Sequence, residues 1–302
     1  MSLLRPLLST YLRLTEKPHM RRSDQATLRR SFASKARFLF HAPLSIRLAT
    51  GTLAGAEALW VAPRRGPKPD VTILYFHGGG FVFGSPHTHG AMVAALAKRA
   101  GACAVLPRYP LAPEHPFPAA LDHAIAAYHA CRAQGGPLVV GGDSAGGALT
   151  LSLLAHLLTE GEPLPDAVFS FSPLTDLTFS GASIRDNAEA DVELPAERAS
   201  KMAQMYLNGA DETNPLASPL FADFTGAPPV WITVGDTEIL LDDSRRIVGQ
   251  MQGQGVNVTY VEEYDLPHVW PIFHNTLPEA RRTLNTLAKW IMAQTGTSAG
   301  TR

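Results

Sequence analysis

The chain reads as an α/β protein with a mostly parallel central sheet flanked by helices. Three observations predict this. From Val71 onward, short apolar runs alternate with longer segments of helical periodicity, the pattern of a parallel sheet covered on both faces. Four of the apolar runs are followed by loops rich in glycine or in charged residues, as expected at the carboxyl edge of such a sheet. A chain of 302 residues, 45% of them hydrophobic, is long enough to bury a substantial core.

The elements follow in order. A helix over Leu7 to Thr15 precedes a second that Ser23 or Asp24 caps and that runs to Phe40, with Leu28, Phe32 and Phe38 on one face. Ile46 to Thr50 and Ala56 to Val61 read as an antiparallel pair, closed by the turn-rich Pro63 to Pro69. The alternation then gives strands Val71 to Phe76, Cys103 to Leu106, Leu138 to Val140 and Ala167 to Phe171. Between them lie helices near Thr88 to Arg99, Ala119 to Ala133 and Ala148 to Leu158. Residues 178–217 break the pattern with frequent Ser, Asp and Glu and one helical piece, Pro195 to Leu207, as an insertion would. Strand Val230 to Val234, helix Leu241 to Gln252, strand Asn257 to Tyr264 and helix Glu279 to Ala293 complete the chain.

Composition narrows the function. A net charge of -1 gives no electrostatic case for nucleic acid or an anionic membrane, and Arg21, Arg22, Arg29 and Arg30 read as a solvated helix face. Cys103 and Cys131 form neither a disulfide framework nor a metal-ligand spacing, and are expected as free core thiols. Arg5, Pro6 and Arg13 interrupt the amino-terminal leucines, so no signal peptide is expected. No run reaches the roughly 18 apolar residues of a membrane span. A cytoplasmic location is the default expectation.

The chemistry concentrates in the four loops. Gly142-Asp143-Ser144-Ala145-Gly146 spells G-x-S-x-G between a strand and a helix, the context of a nucleophile elbow. There the serine sits on a strained turn, and the Ala145 N–H can face an oxyanion. His77-Gly78-Gly79-Gly80-Phe81 follows another strand, and its glycines can turn bare N–H groups toward a developing negative charge. Neither G-x-G-x-x-G nor a P-loop can be fitted to it, which speaks against a phosphate or dinucleotide site. His77, His87 and His89 have no carboxylate or cysteine at a recognised metal spacing, and His77 is expected to hydrogen-bond its own loop. The third loop holds Asp236, Glu238, Asp242 and Asp243, and the fourth holds His268. A serine hydroxyl needs a histidine to take its proton, and that histidine needs a carboxylate to fix its tautomer. The order serine, acid, histidine is present.

His77 to Gly80, Gly142 to Gly146, and Tyr109-Pro110-Leu111-Ala112-Pro113-Glu114 with Phe117-Pro118-Ala119-Ala120 together resemble the hormone-sensitive lipase family of α/β-hydrolases, over roughly residues 70–275. The resemblance implies a carboxylesterase on an α/β-hydrolase fold with an eight-stranded sheet and a small helical cap. Residues 1–45 would form the first part of that cap. Residues 46–302 would form the catalytic domain, with 178–217 contributing the second part of the cap. It implies oxyanion donors at the N–H groups of Gly79, Gly80 and Ala145, and a catalytic His268. The family's acid spacing, a carboxylate with Leu two and Asp four positions on, fits Glu238, Leu240 and Asp242 and favours Glu238 over Asp236, although many relatives have Asp there. Asp143 is read as structural, and Asp242 and Asp243 as first-turn helix carboxylates. After His268 this chain has Val269-Trp270 where relatives have glycine then phenylalanine, a change expected to reshape the acyl pocket.

The expected reaction is acyl transfer from a short- to medium-chain ester to Ser144 and then to water, with no cofactor and no metal. Activity is expected to fall below about pH 6.5 as His268 protonates. Phe81, Met202, Met205, Tyr206 and Trp270 are candidates for an apolar pocket, or equally for cap and core packing. The expected partner is a small-molecule ester, and exposed apolar surface on the final helix could support a homodimer. Two alternatives stay open: a non-catalytic small-ligand receptor on the same fold, and an amide or formamide hydrolase using the same three residues.

Overall fold

The hairpin before Val71 supplies two strands and the alternation after it six, β1 (Ile46–Leu53), β2 (Ala56–Pro63), β3 (Thr72–Phe76), β4 (Cys103–Pro107), β5 (Leu138–Asp143), β6 (Ala167–Phe171), β7 (Val230–Gly235) and β8 (Val258–Glu263), joined in one sheet in the order β1-β2-β4-β3-β5-β6-β7-β8. The structure is a computed structural model in which residues 4–296 are described. Residues 1–3 and 297–302, the outer ends of the two assigned segments, lie outside the described residues. β1 and β2 form the expected antiparallel hairpin, and β2 also runs antiparallel to β4. All remaining pairings, through β3, β5, β6, β7 and β8, are parallel.

The helices are α1 (Leu4–Tyr11), α2 (Lys17–Arg22), α3 (Gln25–Leu39), α4 (Pro86–Ala100), α5 (Ala119–Arg132), α6 (Ala145–Glu160), α7 (Ser183–Asp186), α8 (Ala196–Leu207), α9 (Leu241–Gly253) and α10 (Pro278–Thr295). The predicted helix over Leu7 to Thr15 begins earlier and continues through a π-helical turn, Leu12–Glu16, into α2. Pro6 is tolerated because it falls in the first turn, where its missing N–H has no helical partner to lose. Asp24 caps α3 by accepting a 2.7 Å bond from the Thr27 N–H.

Strand alternation assigns the two faces. Ile73 and Tyr75 of β3 pack with α4 and α10, whereas Leu74 and Phe76 pack with α5 and α6. A third cluster joins α6 and α9 to the β6–β8 end of the sheet. Both cysteines are free and buried. The final helix departs from expectation: Ala280, Leu284, Leu287 and Ile291 turn inward, and no large apolar side chain of α10 is among the exposed ones. Exposed apolar bulk lies instead chiefly on residues 4–48.

The amino-terminal helices and the 178–217 segment meet each other. Lys17 Nζ donates to the carbonyls of Ala188 and Asp191, Arg13 to those of Glu189 and Ala190, and Arg198 to that of Ser23. Arg21 pairs with Glu197. Together the two segments line one wall of a cavity whose floor is the carboxyl edge of the sheet.

Candidate active site

Ser144 stands between β5 and α6 with φ 53° and ψ -121°, a conformation an L residue adopts only when its surroundings impose it. Strand and helix are forced together there: a side chain at Gly146 would run into the carbonyls of Phe76 and His77. The turn is held by the Ser144 N–H donating to Phe171 O at 2.9 Å and by the Leu174 N–H donating to Ser144 O at 3.1 Å. Ser144 and His268 border the same cavity and are both buried.

His268 leaves β8 on a short loop. Its Nδ1 lies 2.6 Å from Glu238 Oε2, and among the described residues no hydrogen-bond partner is present for its Nε2. Glu238 is held in turn: its Oε1 accepts from Ser172 Oγ at 2.7 Å and from the Gly235 N–H at 2.6 Å. Burial pushes the His268 imidazole down, but the Glu238 carboxylate outweighs it, with smaller help from Glu193 and Asp191, and raises the group to about 9. The expected acid limb near pH 6.5 therefore moves upward. Asp236, the other acid candidate, faces away: its Oδ1 accepts the Asp265 N–H at 2.6 Å.

Gly79 and Gly80 border the cavity. Gly79 has φ 123°, and a Cβ there would collide with the Phe83 carbonyl, so only glycine permits this loop to close on itself. Among the described residues no acceptor takes the N–H of Gly79, Gly80 or Ala145. The Gly78 N–H donates to Asp143 Oδ1 at 3.0 Å, tying this loop to the serine turn. The proline-rich segment braces it from behind through Tyr109 Oη to His77 O at 2.6 Å and the Ala112 N–H to Phe81 O at 2.9 Å. His77 hydrogen-bonds its own loop, Nδ1 to Gly78 O at 2.8 Å, and lies stacked against Tyr109. Burial, with His89 nearby, depresses it to about 3.

Asp143 accepts from Tyr75 Oη at 2.6 Å and faces His89 Nε2 at 3.2 Å. Burial alone would raise its carboxyl, but His89 and the tyrosine hold it below the usual range. Asp242 and Asp243 do stand in the first turn of α9, where Asp243 accepts the N–H groups of Thr175 and Asp176 at 2.6 and 2.9 Å.

Of the five expected pocket side chains, Met202 borders the cavity and the other four do not. Phe81 and Tyr206 stack on one another, centroids 3.7 Å apart, and so fasten α8 to the glycine loop. Met205 takes a contact from Gln25 of α3. Trp270 is wholly buried beneath the site, with Nε1 donating to Thr283 Oγ1 of α10 at 3.0 Å and Leu266, Leu277 and Ala280 around it. The left-handed φ of 49° at Val269 turns the chain, so that Val269, Ile272 and Phe273 reach the cavity in its place.

Several residues at the site carry no local motif. Asn187 Nδ2 donates to the carbonyls of Asp236 and Glu238, and Asp191 Oδ2 accepts the Ile239 N–H at 3.0 Å, so the 178–217 segment holds the Glu238 loop. Glu193 borders the cavity, and burial raises its carboxyl to about 8. His89 also borders it.

A family model described as alpha/beta hydrolase fold matches residues 73–272. An acetyl-hydrolase of Streptomyces hygroscopicus is 39% identical over 248 residues, covering 81% of this chain and 82% of its own. An esterase of Acinetobacter venetianus is 35% identical over 222 residues, covering 72% and 73%. The crystal structure of an esterase from the bacterial hormone-sensitive lipase family superposes with a TM-score of 0.91 at 34% identity, covering 98% of this chain and 99% of that one. The fold, the serine turn and these relatives agree, and the chain belongs to the hormone-sensitive lipase branch of the α/β-hydrolase family, a branch of carboxylic ester hydrolases.

Proposed function

We propose that this carboxylic ester hydrolase acts on short-chain esters through Ser144, His268 and Glu238. Ser144 Oγ attacks the ester carbonyl carbon while His268 Nε2 takes its proton. The tetrahedral oxyanion is received by the N–H groups of Gly79, Gly80 and Ala145, and the imidazolium returns the proton to the departing alcohol oxygen. Water then attacks the acyl-serine, giving its proton to His268, and the carboxylic acid leaves. Glu238 keeps Nδ1 protonated and offsets the charge of the imidazolium.

The observation that carries this reading is the short Glu238–His268 bond beside a strained serine, with three unengaged amides at hand. The cavity's free volume of about 150 Å³ and its mainly apolar walls support a short acyl group beside Ser144. Its walls are mainly Leu12, Phe32, Phe83, Leu174 and Ile272. We read residues 1–45 and 178–217 as two parts of a helical cap, supported by their shared wall and mutual hydrogen bonds.

The test is a series of p-nitrophenyl esters from acetate to long-chain acyl, with wild type beside Ser144→Ala. Turnover greatest for short chains and lower by at least about 10⁴-fold in the variant is expected. A folded variant retaining a tenth of wild-type activity would overturn the serine mechanism. Faster turnover of the matching anilide than of the ester would move the assignment to amides.

A further inference from the structure

Charge is distributed very unevenly along this chain. Residues 1–45 hold nine Lys and Arg against two Asp and Glu, a net +7 in a chain whose total is -1, which leaves -8 on the remainder. The same stretch exposes apolar side chains: Leu7 is 67% exposed, Leu14 70%, Phe38 71% and Leu44 92%. Leu7, Tyr11 and Leu14 are spaced four and three residues apart along one face of α1 and the turn that follows it. On α3, Arg30 and Arg37 are exposed one heptad apart, with Phe38 beside them. Arg22 is exposed as well. Tyr11 and Leu39, both exposed, are also wall residues of the cavity that holds Ser144, so this cationic, apolar surface extends to the cavity wall.

Exposed leucine and phenylalanine interleaved with arginine is the composition of a helix that lies in a lipid–water interface, apolar side chains among the acyl chains and cations among the head groups. Each exposed arginine near an anionic surface adds to the attraction, and salt screens it. Arg5, Arg21, Arg29 and Lys35 are paired with Asp265, Glu197, Glu114 and Glu16, so a second copy seated by two-fold symmetry would instead bring the exposed Arg22, Arg30 and Arg37 of both copies face to face. We propose that residues 4–45 form a peripheral docking surface for anionic lipid, placing the cavity against an interface rich in ester substrate. Docking in this sense is distinct from spanning: among the described residues no helix is long and apolar enough to cross a membrane.

The full chain is co-sedimented with vesicles of phosphatidylcholine alone or mixed with phosphatidylglycerol, across a salt series. We expect binding to the mixed vesicles that weakens as salt rises, and at least about tenfold weaker binding to neutral ones. L7E/L14E and, separately, R30E/R37E should each lose at least about tenfold in binding. Circular dichroism melts verify that each variant is folded. Because none of these four residues borders the cavity, turnover of monomeric p-nitrophenyl butyrate should persist in both, which separates failure of docking from failure of the ester-hydrolysis reading. No sedimentation with anionic vesicles, or binding untouched by both variants, would overturn the proposal. So would light scattering that shows a wild-type dimer split by L7E/L14E, which would give the face to a second copy.

Discussion

Two buried imidazole–carboxylate pairs reach the cavity that holds Ser144: Glu238 with His268, of which the histidine borders it, and Asp143 with His89, which both do. They differ in what is left free. Both nitrogens of His89 are engaged, Nε2 toward Asp143 at 3.2 Å and Nδ1 toward Thr88 Oγ1 at 2.8 Å. His268 engages only Nδ1, at 2.6 Å. A base needs a nitrogen to spare, so the Glu238–His268 pair can move a proton and the Asp143–His89 pair can only hold a shape. Asp143 accordingly spends its oxygens on Tyr75, His89 and the Gly78 N–H, which fixes the glycine loop against the serine turn.

The comparison breaks or stands on one pair of variants. His268→Ala should lower kcat by at least about 10⁴-fold, leaving what the oxyanion site and binding supply. His89→Gln, which keeps a donor toward Asp143, should cost about tenfold or less in kcat/KM and about 1–3 kcal/mol of stability from the disturbed buried network. Equal losses in kcat with both variants folded would mean that the two pairs do not divide the work as described.

A second variant sharpens the comparison through pH. In the proposed mechanism His268 must be neutral to accept a proton, and Glu238 raises it to about 9. Activity should therefore rise with pH along a limb lying above the ordinary histidine value of about 6.5. Glu238→Gln removes the charge that favours imidazolium, so the limb should move down by a unit or more. The lost tautomer control should cut kcat by about 10²- to 10⁴-fold. Profiles of kcat/KM against pH for both proteins measure this, and a limb that stays in place would remove Glu238 from its role.

Legibility in sequence followed the range of the interactions. Strands and helices between Thr72 and Phe171 were readable within a few residues, because each depends on its own apolar periodicity. The apolar run in the sequence ends at Val140, whereas β5 reaches Asp143 in the structure. Gly141 and Gly142 look like loop, yet they pair with Tyr75 and Phe76, and Gly141 lacks a side chain because the Phe169 ring occupies that space. Ser144 and His268 stand out as candidates in the sequence because motif and chain order are local properties. Trp270 misled for the complementary reason: adjacency to His268 in sequence says nothing about the direction set by the left-handed turn at Val269. Asn187, Asp191 and Ser172 brace Glu238 from distances of 47 to 66 residues along the chain, and no spacing rule reports such contacts.

The smallest expected effect tests the choice between neighbouring acids. Asp236 and Glu238 leave the same strand end two residues apart, and either could have served His268 by chain order alone. Extended side chains two apart share a face, but β7 ends at Gly235 and the chain turns at once, with the Glu238 N–H donating to Gly235 O at 3.1 Å. That turn aims Glu238 inward, where it is 1% exposed, and leaves Asp236 to accept the Asp265 N–H at the outer edge of the β8 loop. Asp236→Asn keeps a carbonyl oxygen for that bond. It should cost no more than about 1 kcal/mol in a denaturant melt and change kcat/KM by less than about twofold. A loss approaching that of Glu238→Gln would mean that Asp236 supports His268 during turnover in an arrangement other than the one described.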